Sequence, residues 1–169
     1  MVMYKKKASP KPQEISYERV KSYMLWLIER YGDYSAKKLL QKANLLFKDD
    51  TQFNEPALNY LIERDIVNDL RYAQRLTESL TEKNIGANKI KEKLYSKGFS
   101  SATINECVSS IETSDEDYFE KALLLKVRKF GEAPIDEIKL KQKALRHLIA
   151  KGFSYAIANK AVGYSPEEE

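Results

Sequence analysis

One cysteine, one histidine and one tryptophan stand among 169 residues, with six glycines, five prolines and no apolar run of membrane-spanning length. Each scarcity closes a class of function. A lone Cys107 cannot form an internal disulfide, and its place in an apolar helical pattern makes it a packed thiol without a redox role. A lone His147 cannot build a histidine metal cluster, and its own stretch offers it no carboxylate or cysteine partner, so it reads as a surface or partly packed imidazole rather than a base. No glycine-rich nucleotide loop is present, so any dependence on ATP would have to come from a partner. The acidic pairs Asp49-Asp50 and Glu116-Asp117 fall at helix boundaries, where capping and helix dipoles explain them. No enzyme activity, cofactor or metal is expected. The basic N-terminus MVMYKKKASPKPQ is followed by no hydrophobic segment, so the chain is expected to stay in the cytoplasm, away from membranes.

What remains is a charged sequence poor in helix breakers, which points to an all-α fold. Tyr17, Val20, Met24, Leu25, Leu27, Ile28 and Tyr31 keep helical spacing up to Gly32. Ser35 reads as the N-cap of a second helix through Leu39, Leu40 and Ala43, and Asn54 as the cap of a third, with Pro56 in its first turn and Phe53 stapled onto Leu58. Asn68-Asp69 opens a fourth helix carrying Leu70, Ala73, Leu76 and Leu80. Gly86 separates it from a fifth with Ile90 and Leu94.

The fifth helix ends in Lys97-Gly98-Phe99-Ser100, and the same four letters return at Lys151-Gly152-Phe153-Ser154. A glycine just past a helix end takes the left-handed conformation, and the Phe after it folds back on Leu94 or Leu148. Ser100 and Ser154 then cap the next helices, and Ile104 can staple onto Phe99. The phrase is a stop followed by a start. The likeness extends further: Leu94–Val108 and Leu148–Val162 agree at eight of fifteen positions. Upstream, Asp69-Leu70-Arg71-Tyr72 has a counterpart in Asp115-Glu116-Asp117-Tyr118, where Ser114 and Asp117 have capping-box spacing, and a fainter copy places Phe53, Leu58 and Ile62 like Phe99, Ile104 and Val108. About nine helices in tandem three-helix, helix-turn-helix-like repeats are therefore expected, stacked in an elongated, curved array. The repeats occupy 16–66, 67–113 and 114–164, between a flexible basic arm at 1–15 (Lys5, Lys6, Lys7, Lys11) and an acidic tail at 165–169.

The order Asn68-Asp69-Leu70-Arg71-Tyr72-Ala73, then Gly86, Ile90, Leu94 and Lys97-Gly98-Phe99, resembles the middle repeat of RecX proteins. Lys141-Gln142-Lys143-Ala144-Leu145-Arg146, Leu148 and Lys151-Gly152-Phe153 are similar to that family's C-terminal part, and Glu29-Arg30, Ser35 and Leu39 to its opening. The segment after Ala73 is less arginine-rich than the family pattern. The resemblance implies a non-enzymatic regulator of the RecA recombinase, lying in the groove of the RecA filament on single-stranded DNA. Such a regulator limits filament growth, strand exchange, ATP hydrolysis and co-protease activity.

Basic residues gather in the middle helix of each repeat. They are Lys37, Lys38, Lys42 and Lys48 in the first, Lys89, Lys91, Lys93 and Lys97 in the second, and Lys139, Lys141, Lys143, Arg146 and Lys151 in the third, against only Glu92, Asp136 and Glu137. Stacked repeats would align them as a stripe for RecA or DNA, single-stranded or double-stranded, contacted by a monomer. A solvated helix face can carry the same lysines without a ligand. Two other functions fit three-helix repeats: a sequence-specific helix-turn-helix DNA binder, and a scaffold for an unrelated protein. The first would need Arg, Asn or Gln to read base edges, where the middle helices offer mainly Lys.

Overall fold

The computed structural model describes residues 14–32, 34–109, 111 and 115–164. The basic arm, the acidic tail and Ser114 of the expected capping box lie outside the described residues. Nine helices form among them: α1 (Tyr17–Tyr31), α2 (Ala36–Leu46), α3 (Asn54–Glu63), α4 (Asp69–Glu82), α5 (Ala87–Lys97), α6 (Ser101–Ser109), α7 (Asp115–Phe130), α8 (Ile138–Ala150) and α9 (Tyr155–Gly163). Helix α1 packs on α3, α4 on α5 and α6, and α7 on α8 and α9. The described chain divides into two compact units: one runs to Gly32 and resumes over Leu39–Val67, the other takes the short segment ending at Lys38 and the chain from Asn68 on.

In the first unit Val20, Met24 and Leu27 of α1 are buried at helical spacing, as are Leu39 and Ala43 of α2 and Ala57, Leu58 and Leu61 of α3. Two expectations fail here. Asn54 is the first residue of α3 rather than its cap: Phe53 holds the cap position without a side-chain bond, and the buried Asn54 amide donates to Asn44 Oδ1 at 2.8 Å. Ile62 is largely exposed, and Leu61, one residue earlier, enters the core. The faint copy nevertheless keeps its register: Leu58 and Leu61 are buried as their counterparts Ile104 and Cys107 are, and it departs at Ile62, whose counterpart Val108 is buried.

The second unit buries one continuous cluster, from Ala73 and Leu80 through Ile90, Leu94, Phe99, Ile104 and Cys107 to Ala144, Leu148, Phe153 and Val162. Tyr72 meets Phe99 at 5.2 Å between ring centroids, and Tyr118 meets Phe153 at 5.1 Å, so the aligned tyrosines fill equivalent places. Both KGFS turns close as expected. Gly98 has φ +90° and Gly152 φ +100°; each glycine N–H reaches back three residues, and the following Phe N–H reaches Leu94 or Leu148. Ser100 Oγ accepts from Thr103 N, and Ser154 Oγ from Ile157 N.

Lys126 of α7 is fully buried, its Nζ donating to the Glu132 and Ala133 carbonyls at 2.7 and 2.8 Å. Burial lowers its pKa, with Glu132 acting in the opposite sense. Two charge-assisted bonds offset the cost of desolvating an ammonium, and both acceptors sit on exposed residues that water can reach once the lysine is gone. Lys126→Met, which keeps a long apolar stem, is therefore expected to change stability by under about 1 kcal/mol, whereas Lys126→Ala loses the packed stem and costs about 2–3 kcal/mol. Urea unfolding of both variants checks this; equal losses would mean that the carbonyl clasp outweighs desolvation.

Candidate functional site

A helix begins with backbone N–H groups and ends with carbonyls that lack partners within it. In the second unit these ends satisfy one another. The N–H groups of Gly86, Ala87 and Asn88, which open α5, donate to Lys151 O at 2.8 Å, Tyr118 Oη at 2.7 Å and Gly152 O at 3.1 Å. The Tyr118 hydroxyl in turn donates to Gly152 O at 3.3 Å. The C-terminal end of α8 thus abuts the N-terminal end of α5, negative dipole end against positive. A Cβ on Gly86 would lie 2.3 Å from the Gly152 carbonyl carbon, and one on Gly152 would lie 2.5 Å from both N and Cβ of Lys89. Only glycine fits either position.

The far end of α5 is engaged in the same way. The Ser35 hydroxyl donates to Lys97 O, and Ala36 N, the first of α2, donates to Asp69 Oδ1 at 2.8 Å. Ser35 also accepts from Lys38 N, as an N-cap should. Burial pushes the Asp69 carboxyl pKa up, and the Ala36 bond counters this. Gly98 lies against Ser35 and Lys37, at contacts of 3.3–3.5 Å for an added Cβ. Helix α8, helix α5 and the opening turn of α2 are joined end to end.

This succession carries every residue of the expected stripe except Lys42 and Lys48, which belong to the first unit. Helical period then separates them by face. On α5, Ala87, Ile90 and Leu94 are buried, and Lys89, Lys93 and Lys97 recur every four residues along one flank. On α8, Ala144 and Leu148 are buried, and the exposed Lys139, Lys143 and Arg146 share the opposite face. Lys91 and Lys141 do not join these rows: each is half-buried at the edge of its helix's apolar face. Lys89 is held by Glu92 at 2.6 Å, and Lys37 sits beside Gly98. What the arrangement can do chemically is present cations to a polyanion or to an acidic surface.

His147 adds no base. Its Nδ1 lies 3.0 Å from Lys129 Nζ, and an ammonium can only donate, so Nδ1 is the acceptor and the proton sits on Nε2. Burial, then Lys129 and Lys151, lower its pKa below the usual histidine value. As pH falls below 6.5 the unfolded chain takes up this proton before the folded one, so stability is lost between pH 6.5 and the folded-state pKa. Urea midpoints at pH 7.5 and 5.5 are expected to fall on acidification in the parent and to fall less in His147→Asn; equal slopes would exclude His147 as the source. Cys107 is buried, and burial raises its thiol pKa, as fits a packed thiol. No group of His, Cys, Asp and Glu among the described residues could hold a metal ion. No helix there is long and apolar enough to cross a membrane.

Sequence reasoning missed three participants: the Ser35 bond to Lys97 O, the Asp69 acceptor and the Tyr118 hydroxyl. Only Tyr118 left a signal, its alignment with Tyr72 ahead of the repeated Phe.

The family profile described as the third three-helix domain of RecX matches residues 115–162, which span α7–α9. A regulatory protein RecX from Acinetobacter baylyi is 32% identical over 155 residues, covering 92% of this chain and 93% of its own. A regulatory protein RecX from Clostridioides difficile is 34% identical over 134 residues, 78% of this chain and 61% of its own, so the chain spans less than two thirds of that relative. Among solved structures, RecX from Lactobacillus salivarius has a similar fold, with a TM-score of 0.73 at 21% identity over 86% of this chain and 94% of its own. With identity above 30% across nearly the whole of the Acinetobacter protein, and with the fold shared, the chain belongs to the RecX family of regulatory proteins.

Proposed function

We propose that this protein is a non-enzymatic regulator of the RecA recombinase, acting in the cytoplasm as a monomer without a cofactor. It binds along the groove of the RecA filament on single-stranded DNA and limits recombination, ATP hydrolysis and SOS co-protease activity. Three three-helix units, 16–66, 67–113 and 114–164, serve as the repeated contacts, and duplex DNA is a weaker ligand of the same surface. The observation that carries this reading, beside family membership, is the end-to-end succession of α8, α5 and the first turn of α2 with its rows of cations. A linear row of charges suits a linear partner, and lysine neutralises phosphates or carboxylates without selecting bases.

Fluorescence anisotropy with labelled oligonucleotides tests the partner. Affinity is expected to rank RecA-coated single strand above bare single strand above duplex, and to fall steeply between 50 and 200 mM salt. Equal affinity for bare and coated strands would move the action to DNA alone, as a DNA-binding protein.

A further inference from the structure

The first unit exposes a second surface of different chemistry. Arg19, Tyr23, Trp26 and Arg30 recur along α1 at intervals that place them on one helix face. Tyr23 and Trp26 stack, with ring centroids 6.2 Å apart and planes 22° apart, and Tyr31 stands edge to face with Trp26 at 5.8 Å. The buried Phe47 meets Tyr23 at 5.5 Å and lies 5.8 Å from the Arg19 guanidinium carbon, which anchors the inner end of the row. Its outer end is open: Trp26 is 49% and Tyr31 63% exposed, with the exposed Arg30 between them in sequence. Trp26 on this face and Tyr31 on the adjoining flank are held in solvent against each other, and with the arginines of the face they combine the two elements that bind single strands without sequence preference: π-faces for bases and cations for phosphates.

We propose that this face of α1 is a base-stacking platform for single-stranded nucleic acid, with Trp26 and Tyr31 taking bases and Arg19 and Arg30 the adjoining phosphates. The proposal rests on the reading that a single strand is a ligand, and adds a site apart from the lysine rows. Duplex DNA keeps its bases stacked inside and cannot use it.

Trp26 is the only tryptophan, so its emission reports this face alone. Titration with oligo(dT) is expected to quench it strongly, while a duplex of equal length leaves it nearly unchanged. Trp26→Ala and Tyr31→Ala are each expected to weaken oligo(dT) binding roughly tenfold by anisotropy, with Trp26→Phe recovering most of the loss and circular dichroism confirming that each variant is folded. Binding of oligo(dT) without quenching, with Trp26→Ala at parental affinity, would overturn the proposal. So would equal quenching by the duplex, or a folded protein that binds no single strand. The joint reversal of Lys93, Lys97, Lys143 and Arg146, run in the same assay against RecA filaments, separates the two claims. If that variant loses filament binding while Trp26→Ala changes nothing, the platform fails and the proposed function stands. Such a result would leave the aromatic face to a protein partner.

Discussion

Gly152→Ala is expected to cost at least about 3 kcal/mol of folding stability, the largest loss from any single methyl group in this chain. Two penalties act together. At φ +100° the alanine is strained by about 1–2 kcal/mol, and its Cβ meets Lys89 N and Cβ at 2.5 Å and Gly86 O at 2.6 Å; the backbone N and O belong to a helix end that cannot move without breaking three hydrogen bonds. Two comparisons isolate the terms. Gly131→Ala at φ +92° has nothing within 4 Å of the new Cβ and is expected to lose only about 1–2 kcal/mol. Gly86→Ala, with φ −74°, carries the clash without the strain. Thermal unfolding would place Gly152→Ala lowest, down by roughly 6–12 °C on the scale of about 2–4 °C per kcal/mol for a chain of this length. A Gly152→Ala melt no lower than that of Gly131→Ala would deny the close approach of α8 to α5.

The second large effect concerns binding. Reversing Lys93, Lys97, Lys143 and Arg146 to Glu together replaces four favourable charges by four unfavourable ones on the exposed rows of α5 and α8. If each contacts phosphate or carboxylate in the complex, a loss of at least about tenfold per residue is a modest expectation, and the combined affinity for RecA filaments should fall more than about 10³-fold with a shallower salt dependence. Helical content should not change, since all four side chains are exposed and none caps a helix. Lys91 and Lys141 serve as internal controls. Half-buried at the edges of their apolar faces, they should matter less to binding when reversed and more to stability.

The helices were readable because the period of apolar residues, the Asn68 cap and the two glycine turns are local signals. Even so, the glycines mean more than a helix stop. After α3 and α4 the same six-to-one closure is made by Asp65 at φ 55° and Asn84 at φ 53°, with Ile66 N bonding Leu61 O and Ile85 N bonding Leu80 O. Short polar side chains can take the left-handed turn. Position 152 needs glycine because a neighbouring helix end presses against it, and that requirement depends on residues more than sixty places away in sequence. Asn54 misled for the opposite reason. Its amide is drawn into a tertiary bond with Asn44, so a residue type that favours caps sits one place inside the helix. Among candidate site residues the sequence identified the cations, whereas which of them share a face became plain only once the buried positions of α5 and α8 were known.

The central claim is that the protein acts on the RecA filament itself. It is tested most directly by the RecA-catalysed, single-strand-dependent ATPase rate with this protein added well below the amount needed to coat the DNA. The rate should fall at such levels, and should be restored when the four-residue reversal replaces the parent. An unchanged rate, with folding confirmed and the protein present in excess over filament ends, would contradict it.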